Sequence, residues 1–135
     1  MATIRRFEDL DVWKLSRELV NRIYASTKNC AFSSDYGLRN QITKSAVSVM
    51  SNIAEGFESG SDQQFSRYLK IAKGSAGECR SQLYVAFDQN YISEDEFSEL
   101  KQELETLSKK LNRLQKYLTG FNGNSVSDVN INYEG

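Results

Sequence analysis

The sequence predicts an all-α fold, an antiparallel up-down-up-down four-helix bundle, on three observations. Its 135 residues include no proline and only 8 glycines, which suits long uninterrupted helices better than turns and short strands. Apolar residues recur at spacings of three and four over four long segments. The connections between these segments are short, so consecutive helices should run antiparallel. We expect residues 1–120 to form this bundle and residues 121–135 to form a flexible tail.

The first predicted helix covers about 8–29 and carries two neighbouring apolar stripes. One consists of Val12, Leu15, Leu19 and Ile23, and the other of Trp13, Val20 and Tyr24. Together they cover about half of the helix circumference, more than one core-facing stripe requires. Trp13 either covers the edge of the core or makes a second contact. A short loop, NCAFSS at 29–34, follows.

The second predicted helix covers about 35–58, with Ser34 or Asp35 as its N-cap. Its apolar stripe is Leu38, Ile42, Ala46, Val49, Ile53 and Phe57. A polar and almost uncharged stripe runs beside it, formed by Gln41, Ser45, Ser48, Asn52, Glu55 and Ser59. Such a line of hydrogen-bonding groups indicates either packing against a close neighbour or an ordinary solvated surface.

The third predicted helix covers about 62–91 and begins at a capping box formed by Ser61 and Gln64. Its apolar positions are small in the middle of the helix. Gly74 and Gly77 also lie inside it, and each costs about 1 kcal/mol of helix stability relative to alanine. We expect close approach of the second helix, or of a neighbouring subunit, to offset that cost.

The fourth predicted helix covers about 94–119 and begins at a second capping box, formed by Ser93 and Glu96. Its acidic first turn and basic last turns complement the helix dipole. Seven apolar residues at bundle spacing predict its buried face: Phe97, Leu100, Leu104, Leu107, Leu111, Leu114 and Leu118. In the tail, alternation of Val129, Ile131 and Tyr133 leaves a docked strand open as an alternative.

The composition argues against an enzyme. There is no histidine, the usual general base and commonest metal ligand near neutral pH. No phosphate-binding loop, dinucleotide fingerprint or nucleophile elbow is present. Glu55 and Glu78 could meet and hold an oxygen-preferring cation, but hydrogen bonds from nearby serine and asparagine side chains are the simpler expectation. We therefore expect no catalytic residues, cofactor, metal or small-molecule substrate.

Two features predict a cytoplasmic protein that does not span a membrane. Cys30 and Cys79 are far apart in sequence and match no disulfide framework, so we expect both to be reduced. The longest strictly apolar run, 83–87, is much too short to cross a bilayer.

A local patch on the third predicted helix raises nucleic-acid binding as an alternative. Lys73, Arg80 and Tyr84 share one face, with Lys70 further round. Cations and an aromatic ring together could hold a phosphate backbone and stack a base. A solvated charged face has the same pattern, and the net charge of the chain is only −1.

Three stretches carry a family resemblance: FEDLDVWKLSRELVNRIY, YGLRNQITKSAVSVMSNIAEGF and FSRYLKIAKGSAGECRSQL. Over about 7–118 the chain resembles the four-helix-bundle proteins named for intervening sequences of 23S ribosomal RNA genes. The resemblance implies a left-handed bundle that assembles into a homopentameric ring, with an undefined biochemical role and a suspected association with RNA. The chain is also distantly similar to the accessory bundle proteins of diversity-generating retroelements, which bind nucleic acid.

The polar signature of that family falls on Asn52, Glu55, Ser75 and Glu78. We expect these residues to form a hydrogen-bonded junction between the second and third helices or between subunits. The leading interpretation is a non-enzymatic scaffold that forms a homo-oligomer and binds a protein partner. The alternative is an RNA-binding accessory protein.

Overall fold

The computed structural model describes residues 4–120, which form five α-helices and one short 3-10 turn. Four of the helices are long and the fifth is a single short segment between the first two long ones. In chain order the elements are the 3-10 turn Phe7–Asp9, α1 Asp11–Ser26, α2 Cys30–Ser34, α3 Tyr36–Glu58, α4 Asp62–Asp88 and α5 Glu94–Gly120.

The four long helices pack antiparallel as a bundle, as the sequence predicted. Helix α3 packs against α1 and α4, and α5 packs against α4 and α1. The order around the bundle is therefore α1, α3, α4, α5, with each helix next to its neighbours in sequence. The tail at 121–135, predicted to be flexible or a docked strand, lies outside the described residues.

The predicted stripes form the core. All seven apolar residues of the α5 series are buried, and α4 contributes the small side chains Ala72, Ala76 and Cys79 from its middle. Helices α3 and α4 are in close contact at Gly56, where an added Cβ would lie 2.7 Å from Tyr68 Cβ. The glycine that permits this approach is thus on α3.

Three predicted helix starts have a side-chain cap. Asp35 Oδ1 accepts a hydrogen bond from the backbone N–H of Leu38 at 3.1 Å, which settles the N-cap of α3. Ser61 Oγ accepts one from Gln64 N at 3.2 Å, and Ser93 Oγ accepts one from the third residue after it at 3.1 Å. Each cap satisfies a backbone donor that the first helical turn leaves free.

Three predicted boundaries were wrong. The first helix, predicted at about 8–29, is α1 at Asp11–Ser26, with the 3-10 turn Phe7–Asp9 before it. Contacts across the end of the bundle determine the other two. The predicted loop at 29–34 contains α2, which Asn29 caps through a 3.0 Å hydrogen bond from Ala31 N. Phe32 of α2 is buried and stacks on Tyr91, with ring centroids 5.2 Å apart. Helix α4 ends at Asp88 instead of continuing to 91, since Asn90 has a left-handed φ of 63°, which asparagine tolerates better than most residues.

Candidate interaction surfaces

The polar stripe of α3 faces α4 and is joined to it by side-chain hydrogen bonds. Ser48 Oγ lies 2.9 Å from Ser75 Oγ. Ser45 Oγ donates to Gln82 Oε1 at 2.7 Å. Asn52 Nδ2 supports this line within α3, donating to the Ser48 carbonyl at 2.8 Å and to Ser48 Oγ at 3.0 Å. We name these five side chains the serine seam.

The four residues of the family signature divide into two pairs in the structure. Asn52 and Ser75 are half-buried members of the serine seam. Glu55 and Glu78 are exposed, and neither carboxylate accepts a hydrogen bond from any other residue in 4–120. Glu78 instead lines a shallow groove of about 350 Å³ with Lys44 beside the seam. A junction that uses all four residues within one chain is therefore not formed, and their role between subunits stays a prediction.

The two glycines inside α4 do not contact a second helix of the same chain. An added Cβ at Gly74 or at Gly77 would meet nothing within 4 Å apart from its own helix. The expectation that these glycines let α4 approach α3 was wrong, since Gly56 serves that purpose. Contact with a neighbouring subunit remains as the predicted explanation for Gly74.

The predicted nucleic-acid residues lie along the seam between α4 and α5. Lys70 is exposed, and Lys73 Nζ donates to Asn112 Oδ1 at 3.3 Å. Arg80 Nη1 lies 3.4 Å from Glu105 Oε2. This ion pair, which the sequence analysis did not predict, places a carboxylate among the cations.

The aromatic end of the same seam is formed around Tyr84. Its ring meets Phe97 edge-on, with centroids 4.9 Å apart, and Lys101 Nζ lies 5.9 Å from its centroid. Close to Arg80, Lys109 lines the same groove of about 390 Å³. The structure thus adds Lys101 and Lys109 of α5 to the predicted cationic face of α4. These two residues were not predicted, because the sequence does not give the register of α5 against α4.

Helices α1 and α5 are joined by charged side chains that the sequence analysis also missed. Arg22 donates to Glu103 at 2.6 Å and to Glu99 at 3.1 Å. Burial acts to lower the pKa of Arg22, but the hydrogen bonds and charges of Glu103 and Glu99 outweigh it and the pKa is raised. Ser26 Oγ donates to Glu96 at 2.5 Å. The acidic opening of α5, predicted to complement its dipole, also binds α1.

The described part of the chain lacks a cluster of metal ligands and a membrane helix. No three His, Cys, Asp or Glu side chains within 4–120 are grouped as a cation would need. No helix in this range is long and apolar enough to cross a membrane. Both cysteines are free thiols, Cys30 at the surface and Cys79 in the core.

Comparison with known proteins agrees with this architecture. The family model described as 23S rRNA-intervening sequence protein matches residues 8–113. A crystal structure of a protein of unknown function from the S23 ribosomal protein family of Bacteroides thetaiotaomicron shares the fold. The TM-score is 0.73 at 24% identity, over 78% of this chain and 98% of that chain. No curated protein matches significantly. The family match spans most of the bundle, and the chain belongs to the 23S rRNA-intervening sequence protein family.

Proposed function

We propose that the protein is a non-enzymatic, cytoplasmic scaffold that acts as a homo-oligomer, a ring of five subunits. The observation that carries this proposal is the outer surface of α4 near its α3 side. Gly74 lies there in open space, and Ile71 and Val85 leave 53% and 45% of their surfaces exposed. Residues 71, 74, 78, 81 and 85 follow one another at spacings of three and four, so they share a face of the helix.

This face has the chemistry of a protein contact. Glu78 lies at its centre, with Gly74 on one side and Ser81 on the other. These two small residues let another backbone approach the helix on either side of the carboxylate. Exposed Ile71 and Val85 gain stability when a neighbouring subunit covers them, at about 25 cal/mol per Å² of apolar surface. The cost of Gly74 within the helix is then offset by a contact that the single chain does not provide.

A ring requires a contact between two different patches of each subunit, whereas a twofold dimer uses one patch twice. Size-exclusion chromatography with light scattering distinguishes these cases through the mass per particle. A mass of about five subunits that is stable on dilution supports the ring. A monomer at all concentrations contradicts the scaffold proposal.

Nucleic-acid binding is a second candidate, favoured by the cations along the α4–α5 seam. Lys73 and Lys109 line one groove with Arg80, and Lys101 approaches the ring of Tyr84. A ring would repeat this stripe in every subunit and multiply the phosphate contacts. The Arg80–Glu105 pair opposes binding, because it neutralises one of the cations. Protein purified without nuclease should retain nucleic acid at low salt and lose it steeply as salt rises if this candidate is right.

A further inference from the structure

A groove of about 560 Å³ lies between the end of α1 and the first turns of α3. Tyr24 lines it from the last turn of α1 and Lys28 from the turn that follows this helix. Ser33 lines it from α2, and Arg39, Asn40 and Thr43 line it from α3. This site is not evident from helix periodicity, because its lining combines side chains of α1, α2, α3 and the turn after α1.

The charge of this groove differs from that of other grooves on the bundle. Lys28 and Arg39 are cations, and no carboxylate is among the lining residues. Four other grooves between the helices each contain at least one glutamate. Neither Lys28 nor Arg39 forms an ion pair with any residue in 4–120. In a chain of net charge −1, this groove is a locally positive site suited to an anion.

Arg39 is held in place without losing its charge. Its Nη1 donates to the Ser33 carbonyl at 3.1 Å, and its guanidinium carbon lies 4.9 Å from the centroid of the Tyr36 ring. Both partners are uncharged. A guanidinium has five N–H donors, so donors remain for a ligand. An oxyanion that binds here meets a preorganised cation, which lowers the entropy cost of binding.

The uncharged groups of the groove favour a ligand that is more than a bare anion. Thr43 Oγ1 donates to the Arg39 carbonyl at 2.8 Å, and Ser33 Oγ donates to the Cys30 carbonyl at 3.0 Å. With their protons engaged, these oxygens can still accept hydrogen bonds. The exposed amide of Asn40 can donate and accept. Beside them, Tyr24 is 46% exposed, and its ring offers an aromatic surface.

We propose that this groove binds a nucleotide. The phosphate lies between Lys28 and Arg39, the base lies against the Tyr24 ring, and sugar or base donors meet the oxygens of Ser33 and Thr43. The nucleotide is either free or part of a single-stranded nucleic acid, since both present the same groups. The site lies on the α1–α3 seam, opposite the α4–α5 seam in the order of the bundle, and it does not depend on the proposed self-association.

Binding to the full-length protein tests this proposal with three probes at low salt. AMP and inorganic phosphate are titrated by calorimetry, and a fluorescein-labelled single-stranded RNA of about 12 nucleotides is titrated by fluorescence anisotropy. The variants are Lys28→Gln and Arg39→Gln. Lys14→Gln, which removes an exposed lysine of α1 that does not line the groove, is the matched control.

We expect Lys28→Gln and Arg39→Gln each to weaken AMP or RNA binding at least about fivefold, the usual loss for one good polar contact. Lys14→Gln should change it less than about twofold. Arg39→Gln also removes the hydrogen bond to the Ser33 carbonyl, so its effect includes any loosening of α2. Lys28 is exposed and forms no such contact. Lys28→Gln is therefore the variant that decides whether the groove binds the nucleotide. Tyr24→Ala should weaken AMP binding while Tyr24→Phe retains it.

The probes distinguish the two sources. AMP that binds and displaces the RNA indicates a free-nucleotide site, and Lys28-dependent RNA binding that AMP does not displace indicates a nucleic-acid site. The proposal is overturned if neither AMP nor RNA binds, if Lys28→Gln behaves like Lys14→Gln, or if inorganic phosphate binds as tightly as AMP. Light scattering on the same variants reports self-association separately, so either proposal can fail without the other.

Discussion

Ser48 on α3 and Ser75 on α4 meet through their hydroxyl oxygens, 2.9 Å apart. The contact is half-buried and, with the Ser45–Gln82 hydrogen bond, forms a polar line between two helices that otherwise pack through apolar side chains. Asn52 fixes the Ser48 hydroxyl from one turn further along α3. A hydrogen bond between short side chains specifies the register of two helices, because sliding one helix along the other would break the bond between the two hydroxyls.

Replacing Asn52 by alanine should lower the free energy of unfolding by about 0.5–1.5 kcal/mol. The substitution removes two hydrogen bonds to Ser48 and leaves the serine hydroxyl less constrained. Glu55→Ala is the matched control on the same face, since Glu55 is exposed, and it should stay within about 0.5 kcal/mol of the wild type. Urea denaturation measures both, and equal effects would show that the seam contributes nothing at Asn52.

Replacing Gly56 by alanine should destabilise the bundle by about 1–3 kcal/mol, the usual range for overpacking. The new Cβ would lie 2.7 Å from Tyr68 Cβ and 2.9 Å from Phe65 Cδ1. The first of these atoms is close to the α4 backbone, so the helices must move apart. Thermal or urea unfolding of the variant measures the loss, and an unchanged midpoint would mean that α3 and α4 are separated more widely at this point.

The helices were largely predictable from sequence because local patterns determine them. The α5 series is an example: Phe97, Leu104 and Leu118 are equivalent positions of one repeat, and all are buried. The end of α4 and the existence of α2 were not predictable in this way. They depend on Asn29 and Phe32 meeting Tyr91, which lies some sixty positions away in sequence.

The candidate surfaces were predictable only in part, for a related reason. The polar but uncharged stripe that includes Ser45, Ser48 and Asn52 indicated either a close neighbour or a solvated surface. The close neighbour is α4, to which Ser45 and Ser48 form hydrogen bonds. The partners on α4 and α5 depend on the register between helices, which periodicity does not give. For that reason Arg80 was predicted as a free cation, although Glu105 pairs with it.

Replacing Gly74 by glutamine should reduce the oligomer mass while leaving the bundle folded. The position is open in the single chain, and removing a glycine from a helix interior favours helix by roughly 0.5–1 kcal/mol. A long side chain there blocks close approach of a neighbouring subunit. Gly77→Gln is the matched control, because it has the same open surroundings but lines the α4–α5 groove. Light scattering should show lower mass for Gly74→Gln alone, and equal masses would place the contact elsewhere.

Replacing Glu105 by glutamine should tighten RNA binding if the α4–α5 seam binds nucleic acid. Arg80 and Glu105 are both about two-fifths exposed, so the pair contributes little to stability. Removing the carboxylate makes the Arg80 charge available to a phosphate.

In contrast, Arg80→Gln should weaken binding and reduce the slope of log affinity against log salt by about 1. Anisotropy titrations of a single-stranded RNA over a series of salt concentrations measure both effects, with Lys14→Gln as the control for loss of one positive charge. If Glu105→Gln and Arg80→Gln leave the affinity unchanged, the seam is not a nucleic-acid site.

Alkaline pH should destabilise the bundle through Cys79. Burial raises the pKa of this thiol from its ordinary value of 9.0 to about 11, against a lowering by its hydrogen bond with Ser45. The folded state therefore favours the neutral thiol. The contribution of the neutral thiol to the free energy of unfolding is fully present below about pH 9. It is lost as the pH rises towards about 11, because ionisation of Cys79 to the thiolate stabilises the unfolded chain. The difference of about two pKa units corresponds to roughly 2–3 kcal/mol.

Urea denaturation from pH 8 to 11 checks this expectation, with Cys79→Ala as the variant that should lose the decline. Tyr91 is a second group that titrates at alkaline pH, and its hydrogen bond to Asp35 raises its pKa. Tyr91→Phe is therefore measured in parallel to separate the two contributions. The decline should remain in Tyr91→Phe and shrink in Cys79→Ala. An equally steep decline in Cys79→Ala would mean that the thiol is not what couples folding to pH.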